Sequence, residues 1–341
     1  MAYTTIKKPS DYFNTKLYTG TGSATSITGV GFQPDWVWIK KRNGTTSHTV
    51  TDSVRGVNKQ LFTNEVEAEE SYTSVLTAFD SDGFSLSTAG LINASSDTYA
   101  SWNWLANGAG SANTDGATAS TVSANTTAGF SIVKYTGAGA TTYGHGLGAT
   151  PNMIIIKKLN SADDWFVYHH TLLTPSATQK QFILLNSTSA FASNGSATTF
   201  TSVSNSTFGV GTDDKISESG DSFIAYCFAE KQGYSKFGSY TGNGNADGTF
   251  VYTGFKPAFI LSKDVDAAEN WFIQDTTRNT SNPVGAYLRP NLSDAEGSFN
   301  HYDILSNGFK NLYAGGSLNG SGRKIIYMAF AEEPLVGDNP A

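Results

Sequence analysis

Two segments of this chain place an arginine three residues after an aspartate, a spacing that allows an ion pair. The pairs are Asp52 with Arg55 and Asp275 with Arg278. A third, related segment carries His169 at the aspartate position and has no arginine partner. An Asp–Arg pair therefore cannot be essential to all three segments, and no acidic residue recurs in all of them.

The adjacent residues His169 and His170, with Asp163 and Asp164 shortly before them, are a candidate metal site or general base. Consecutive residues of a β-strand point to opposite faces, so two adjacent histidines are poorly placed to share one ion. The pair is also absent from the two related segments. The sequence therefore favours a structural role, and it predicts neither a metal nor a cofactor.

The segment Asp80-Ser81-Asp82-Gly83 resembles the start of a calcium-binding loop. Position twelve of such a loop requires a glutamate that ligates through both oxygens, but here it is Leu91. The segment is therefore predicted to be a turn, as is Asp213-Asp214. No nucleophile elbow or phosphate-binding loop occurs in the chain. The prediction is a protein that is not an enzyme, although a glycoside hydrolase with one pair of carboxylates stays open.

The tryptophans fall into two groups. Trp165 and Trp271 follow polar loops, which makes them the better candidates for surface recognition. The others alternate within apolar segments and are predicted to lie in the core, although one such pair could instead line a sugar-stacking or partner surface. These paired residues are Trp36 with Trp38 and Trp102 with Trp104.

An apolar segment that must position these side chains occurs three times, each time between a proline and a lysine six residues later. Both faces of such a strand are apolar, so it must be covered on both sides within a packed sheet. The closing lysine is expected to reach solvent. A Tyr-Thr-Gly triplet lies 16 or 17 residues before each proline. The segments are Pro34–Lys40, Pro151–Lys157 and Pro257–Lys263, and the triplets begin at Tyr18, Tyr135 and Tyr240.

The spacing of about 100 residues is too long for a solenoid or propeller, so each copy is expected to be a domain. Abundant Gly, Thr, Ser and aromatic residues favour strands and tight turns. We therefore predict an all-β fold of three tandem antiparallel β-sandwich repeats of jelly-roll or lectin type. The predicted boundaries are an N-terminal arm (1–15), repeat 1 (16–105), an Ala/Ser/Thr/Gly linker (106–127), repeat 2 (128–232), repeat 3 (233–334) and a C-terminal tail (335–341).

The composition excludes several classes of partner. The formal net charge is −7 and basic residues are not clustered, which disfavours nucleic acid. No segment is long and apolar enough to predict membrane insertion, and the N-terminus lacks the apolar core of a signal peptide. Cys227 is the only cysteine, so no disulfide framework is expected. Synthesis and folding in a cytosol are predicted.

Five segments near the N-terminus resemble a family of virion structural proteins of tailed bacteriophages. This family is found in marine and cyanobacterial phages and is often described as tail-fibre-like. The resemblance is specific over the arm and first repeat and weaker beyond them. It implies a component of the virion without catalytic residues, other virion proteins as partners, and a homo-oligomer, most plausibly a trimer. The segments are 4–13, 17–20, 31–40, 52–56 and 79–84.

The resulting functional hypothesis is a non-enzymatic tail fibre or adhesin that contacts a host surface glycan or receptor. The first alternative is a capsid decoration or accessory head protein held by its N-terminal arm. The second is a glycan hydrolase on the particle. The candidate anchoring residues of the arm are Tyr3, Ile6, Tyr12 and Phe13.

Overall fold

A computed structural model describes residues 4–334, except Ser74 and Asn194. The candidate Tyr3 and the predicted tail (335–341) lie outside the described residues. Strands dominate the chain, and all strand pairings within its sheets are antiparallel. The predicted all-β fold is therefore confirmed.

The strands fall into three groups in chain order, which we call the first, second and third modules. In the first module they are β1 (Phe13–Thr19), β2 (Thr25–Thr28), β3 (Trp36–Lys41), β4 (Thr49–Asp52), β5 (Lys59–Phe62), β6 (Glu70–Ser71), β7 (Leu76–Asp80), β8 (Gly83–Leu86) and β9 (Thr98–Trp104). In the second they are β10 (Ser111–Asn113), β11 (Ser120–Asn125), β12 (Phe130–Thr136), β13 (Thr141–Gly144), β14 (Met153–Lys158), β15 (Phe166–His169), β16 (Gln181–Leu184), β17 (Ala192–Ser193), β18 (Phe200–Val203), β19 (Thr207–Val210) and β20 (Ser222–Phe228). In the third they are β21 (Ser235–Thr241), β22 (Phe250–Tyr252), β23 (Phe255–Asp264), β24 (Trp271–Asp275), β25 (Val284–Tyr287), β26 (Gly297–Leu305), β27 (Gly308–Asn311) and β28 (Lys324–Pro334).

Helical structure in the described residues is limited to single turns. A 3₁₀ turn (Pro9–Asp11) precedes β1. One α-helical turn precedes the last strand of each module: α1 (Gly90–Asn93), α2 (Asp214–Ser217) and α3 (Gly316–Asn319).

Each module consists of two sheets, which we call the large and the small sheet after the first two modules; in the third module both have four strands. The large sheets have the strand orders β1-β9-β3-β4-β5-β6, β10-β11-β12-β20-β14-β15-β16-β17 and β21-β28-β23-β24. The small sheets have the orders β2-β8-β7, β13-β19-β18 and β22-β27-β26-β25. In every module the apolar segment after the repeated proline is a central strand of the large sheet: β3, β14 or β23.

These central strands are buried on both faces, as predicted. In β3, Val37 and Ile39 lie in an apolar cluster that also contains Phe84 of the small sheet. Trp36 and Trp38 point the other way, into a cluster with residues of all three modules. One face of each large sheet thus packs on its own small sheet, and the opposite face packs on the neighbouring modules.

The shared cluster is the centre of the molecule, and its aromatic rings join the modules directly. Trp36 stacks on Tyr226 of the second module with ring centroids 4.5 Å apart. Trp104 meets Phe330 of the third module at 5.7 Å, and Phe228 of the second meets the same Phe330 at 6.2 Å. The three modules therefore share this central core in addition to the separate cluster that each of them has, whereas the sequence predicted only the separate ones.

Three equivalent backbone hydrogen bonds connect the modules in a cycle. A loop of the first module bonds the second (Glu69 N to Leu159 O, 2.7 Å), and a loop of the second bonds the third (Phe191 N to Val265 O, 2.8 Å). A loop of the third module bonds the first (Glu296 N to Arg42 O, 2.7 Å). Head-to-tail contacts that close in this way form a ring. Here the ring forms within one chain.

The repeated Tyr-Thr-Gly triplet fastens the single helical turn of each module. In the first module the Tyr18 hydroxyl donates to Ile92 O at 2.7 Å. A Cβ on Gly20 would lie only 2.1 Å from Ala94 O, so the close approach of that turn requires glycine. Tyr135 and Tyr240 donate in the same way to Ile216 O and Leu318 O. The triplet repeats because the fold needs it.

The predicted linker 106–127 is not a simple connector. Residues 111–125 include β10 and β11, which pair antiparallel and extend the large sheet of the second module along β12. Backbone pairing orders this segment even though its side chains are small and polar. The prediction considered burial by side chains and did not consider main-chain hydrogen bonds.

Candidate functional site

Trp165 and Trp271 are buried, and the prediction that they form a recognition surface is wrong. Their exposed fractions are 0% and 1%. Each indole reaches across a module boundary: Trp165 Nε1 donates to Phe62 O (2.9 Å), and Trp271 Nε1 donates to Leu184 O (2.8 Å). Both side chains therefore contribute to the contacts between modules.

His48 takes the equivalent place in the first module. Its Nδ1 accepts a hydrogen bond from Trp38 Nε1 at 3.0 Å. The backbone of Arg289 in the third module lies near the ring, but Nε2 makes no hydrogen bond of ordinary geometry within the described residues. Burial first, and then the charges of Lys40 and Arg278, lower the pKa of His48 well below its usual value.

The two Asp–Arg pairs lie at two of the three module boundaries. Arg55 Nε donates to Asp52 Oδ2 at 2.5 Å, and Arg278 Nε donates to Asp275 Oδ2 at 2.6 Å. The side chains of both pairs are fully buried. Each arginine also reaches a glutamate, Glu69 or Glu296 respectively.

A donor from a neighbouring module completes each network. The Tyr226 hydroxyl of the second module donates to Asp52 Oδ2 at 2.8 Å. Trp102 Nε1 of the first module donates to Asp275 Oδ2 at 3.0 Å. Burial alone would lower the pKa of Arg55, but Asp52, Tyr226 and Glu69 outweigh that effect and raise it. The networks therefore join modules, and their polar groups bind one another.

The third boundary explains why the second module lacks the pair. By the strand registers, Met328 of β28 takes the place of Trp102 and Tyr226, and it has no proton to donate. The facing residue is His169, whose Nε2 lies 3.2 Å from Tyr327 O. Leu172 and Phe191 occupy the places of the arginine and glutamate and pack against the apolar clusters. A polar network at two boundaries is thus replaced by an apolar set at the third.

His169 and His170 both bond the third module, because His170 Nε2 lies 2.9 Å from Phe237 O. Burial lowers the pKa of His169 to about 3. Among the described residues no group of three or more His, Cys, Asp or Glu side chains could hold a metal ion. The segment 80–83 is the turn between β7 and β8, and the Asp82 carboxylate accepts from the backbone of Gly29 and Gly31.

The three repeated lysines are buried, contrary to the expectation that they reach solvent. Lys40, Lys157 and Lys263 all have an exposed fraction of 0%. Their ammonium groups bond backbone carbonyls, and two of them cross to another module: Lys157 Nζ to Val66 O (3.0 Å) and Lys263 Nζ to Thr188 O (3.2 Å). Burial lowers the pKa of each of the three to about 8.

The N-terminal arm is folded into its own chain. Ile6 is 1% exposed and Phe13 is 2% exposed, and both belong to the shared core. Phe13 stacks on Phe330 of the last strand at 4.9 Å, while the half-buried Tyr12 meets Tyr234 edge-on at 6.1 Å. Ile6 and Phe13 are therefore not exposed for anchoring the chain to another protein. The choice of these two residues as anchoring candidates is therefore corrected.

Sequence reasoning missed the exposed aromatic residues. Among the residues the structure describes, seven large apolar side chains are exposed, and four lie on the small sheet of the third module. Two of them alternate along β22, Tyr252 at 53% and Phe250 at 46% exposed, and Phe299 of β26 is 49% exposed. A comparison of the equivalent strands β2, β13 and β22, position by position, would have found the two on β22. The four are Phe250, Tyr252, Phe299 and Leu305.

A family model described as a domain of unknown function (DUF7483) matches residues 8–334. The chain belongs to this family. No curated protein matches the chain. The match covers all three modules as one unit, in agreement with a fold whose modules share a core. The described residues contain no helix with the length and apolar character needed to cross a membrane.

We expect stability to fall as the pH drops from 6.5 to about 4.5. Burial lowers the pKa of His169 to about 3 and that of His301 to about 4, and it also lowers the pKa of His48 and His145. Below pH 6.5 the unfolded chain binds protons that the folded chain does not, so folding loses about 1.4 kcal/mol per histidine and pH unit. Urea denaturation at pH 7.5, 6.0 and 4.5 measures the loss.

His301→Phe is the matched variant for this measurement. His301 lies among Phe272, Tyr287, Phe299 and Tyr313, so a phenyl ring suits its surroundings. Between pH 7.5 and 4.5 the variant should lose less folding free energy than the wild type. The difference should be about the amount that one histidine contributes. Equal stability of the wild type at pH 7.5 and 4.5 would refute the expectation.

Proposed function

We propose that this protein is a non-enzymatic structural component on the surface of a tailed-phage particle, of tail-fibre or adhesin type, and that it contacts the host cell. The observation that carries the proposal is the unequal distribution of exposed aromatic side chains. All six tryptophans are buried, while the outer face of the third module exposes aromatic rings to solvent. Exposed apolar side chains on one face are typical of a contact surface.

Two further observations support a structural role. The polar residues that could suggest chemistry, such as Asp52, Arg55 and Asp275, are used to join modules. The resemblance to virion proteins is strongest over the arm and first module, where the resembling segments contribute Phe13 and Trp36 to the shared core. The resembling segments thus coincide with residues that build the scaffold.

The buried arm weakens the case for a decoration protein anchored through it. Removing residues 1–14 would also remove Ile6 and Phe13 from the core, so release of a truncated chain would not identify an anchor. A homotrimer stays a prediction from the resemblance, and light scattering of the purified chain tests it.

Immunogold labelling of purified, intact particles tests the proposal. An antibody against the folded chain should label the tail or its fibres, and purified chain should bind host cells and compete with particle adsorption. Label confined to the head would favour the decoration protein. Absence of label from intact particles, or release of reducing ends from host polysaccharide by the purified chain, would contradict the proposal.

A further inference from the structure

The three small sheets can be compared with one another at equivalent positions. Their strands β2, β13 and β22 pair in the same register with β8, β19 and β27. One residue of each strand points inward and is buried: Ile27 in β2, Tyr143 in β13 or Val251 in β22. The outward residues on either side are Ser26 and Thr28 in the first module, Thr142 and Gly144 in the second, and Phe250 and Tyr252 in the third.

This comparison separates what the fold needs from what the third module adds. Small residues suffice at the exposed outward positions of the first module, so the sandwich does not require large rings there. In the second module Gly144 is buried, and Asn113 covers it. Phe250 and Tyr252 nevertheless leave about half of their surfaces in water, which is costly for apolar rings. Residues two apart on a strand lie about 7 Å apart and share a face, so the two rings form one exposed platform.

Tyr252 also borders a groove of about 300 Å³. The groove is also lined by Glu230 and Gln232 of the connection between the second and third modules and by Lys236 of β21. Lys236 Nζ lies 2.7 Å from Glu230 Oε1, and both side chains remain about one-third exposed. The ion pair leaves the groove with no net charge from these two groups, while its carboxylate, ammonium and amide groups face solvent.

We propose that this groove and the Phe250–Tyr252 platform bind a neutral glycan of the host surface. The proposal rests on the function proposed above and names the ligand class. The apolar C–H face of a pyranose can stack on an aromatic ring, while carboxylate and amide groups bond its hydroxyls. The groove is at the lower end of the roughly 300–1,000 Å³ typical of small-molecule sites, which suits one end of an oligosaccharide.

The charges around the platform argue against other ligands. A nucleic acid or acidic polysaccharide requires clustered cations, but Lys236 is paired with Glu230 and Lys310 is paired with Asp247. A stable protein interface buries roughly 800 Å² on each partner around an apolar centre. The carboxylate and ammonium groups beside Tyr252 do not provide such a centre.

Saturation-transfer NMR with the full chain tests the site. The probes are neutral hexasaccharides of glucose, mannose and galactose, with polygalacturonate as the acidic comparison. At least one neutral probe should bind, and Tyr252→Ala should weaken it at least tenfold. Tyr72→Ala is the matched control, because Tyr72 is a similarly exposed tyrosine (44%) in the first module, and it should bind as the wild type does. No binding of any neutral probe, preference for polygalacturonate, or equal binding by Tyr252→Ala would overturn the proposal.

Binding to host cells separates this proposal from the broader one. Both are supported if labelled chain binds cells, periodate oxidation of the cell surface abolishes binding, and Tyr252→Ala weakens it. If binding survives periodate and the substitution, the glycan site is wrong but a contact with the host stands. If the chain binds neutral hexasaccharides through Tyr252 but no cells, the broader function is wrong and the site stands. Self-association that Tyr252→Ala abolishes, without glycan binding, would make the platform an interface between copies.

Discussion

Trp36→Ala is expected to destabilise all three modules together. The indole contacts Trp104 of its own module at 4.4 Å and Tyr226 and Phe228 of the second, and Trp104 continues the contact to the third. Truncating a fully buried tryptophan costs about 3–5 kcal/mol, a large share of the roughly 5–15 kcal/mol that stabilises most proteins. Urea denaturation followed by circular dichroism should show one transition at a much lower midpoint.

Trp36→Phe is the graded control for this prediction. The Trp36 Nε1 atom is buried and has no hydrogen-bond partner within the described residues, so phenylalanine removes ring area without breaking a bond. Its cost should be clearly smaller than that of alanine. A biphasic transition in Trp36→Ala, with one phase at the wild-type midpoint, would mean that a module folds independently and would contradict the shared core.

Arg55→Leu is expected to cost about 3–5 kcal/mol, because it leaves the carboxylate of Asp52 buried without its cation. The side chains of both residues have no exposed surface. Lys256→Leu is the matched control: it removes a cation from Glu332, but both side chains of that pair are more than one-third exposed. An exposed pair contributes roughly 0–1 kcal/mol. Denaturant midpoints of the two variants give the comparison.

Transplanting the apolar set of the third boundary should recover most of that loss. The combined variant carries Asp52→His, Arg55→Leu, Glu69→Phe and Tyr226→Met, the residue types present at His169, Leu172, Phe191 and Met328. Buried ion networks can be replaced by well-packed apolar groups at little cost, whereas removal of one partner is expensive. The combined variant should therefore be more stable than Arg55→Leu alone. If the stability losses of the four substitutions instead add up in the combined variant, the two kinds of boundary are not interchangeable.

The pattern of apolar residues along the strands predicted much of the fold. It identified β3, β14 and β23 as central strands and placed Trp36, Trp38, Trp102 and Trp104 in the core, where they are buried. It could not tell which partner covers each apolar face, because a face packed on the module's own small sheet has the same pattern as one packed on another module. The shared core therefore could not be predicted from periodicity.

The errors at Trp165, Trp271 and the repeated lysines have a related cause. Local sequence shows only which residues are adjacent in the chain. The polar loops before Trp165 and Trp271 therefore suggested that these side chains are exposed. The groups that bury these side chains are distant in sequence: Phe62 O lies 103 residues from Trp165, and Val66 O lies 91 residues from Lys157. A buried cation becomes tolerable when carbonyl oxygens converge on it, and for Lys157 and Lys263 one of these oxygens comes from another module.

The position of Phe13 has a consequence for biosynthesis. This ring, from the first strand, packs on Phe259 and Phe330 of β23 and β28, and residue 330 leaves the ribosome more than 300 residues later. The central aromatic rings of a nascent chain therefore have no complete cover until translation of β28. Contacts between such remote segments slow folding and prolong the exposure of apolar surface. A cell that synthesises many copies at once would thus need chaperones, or slow elongation, to protect each chain until its last strand closes the ring.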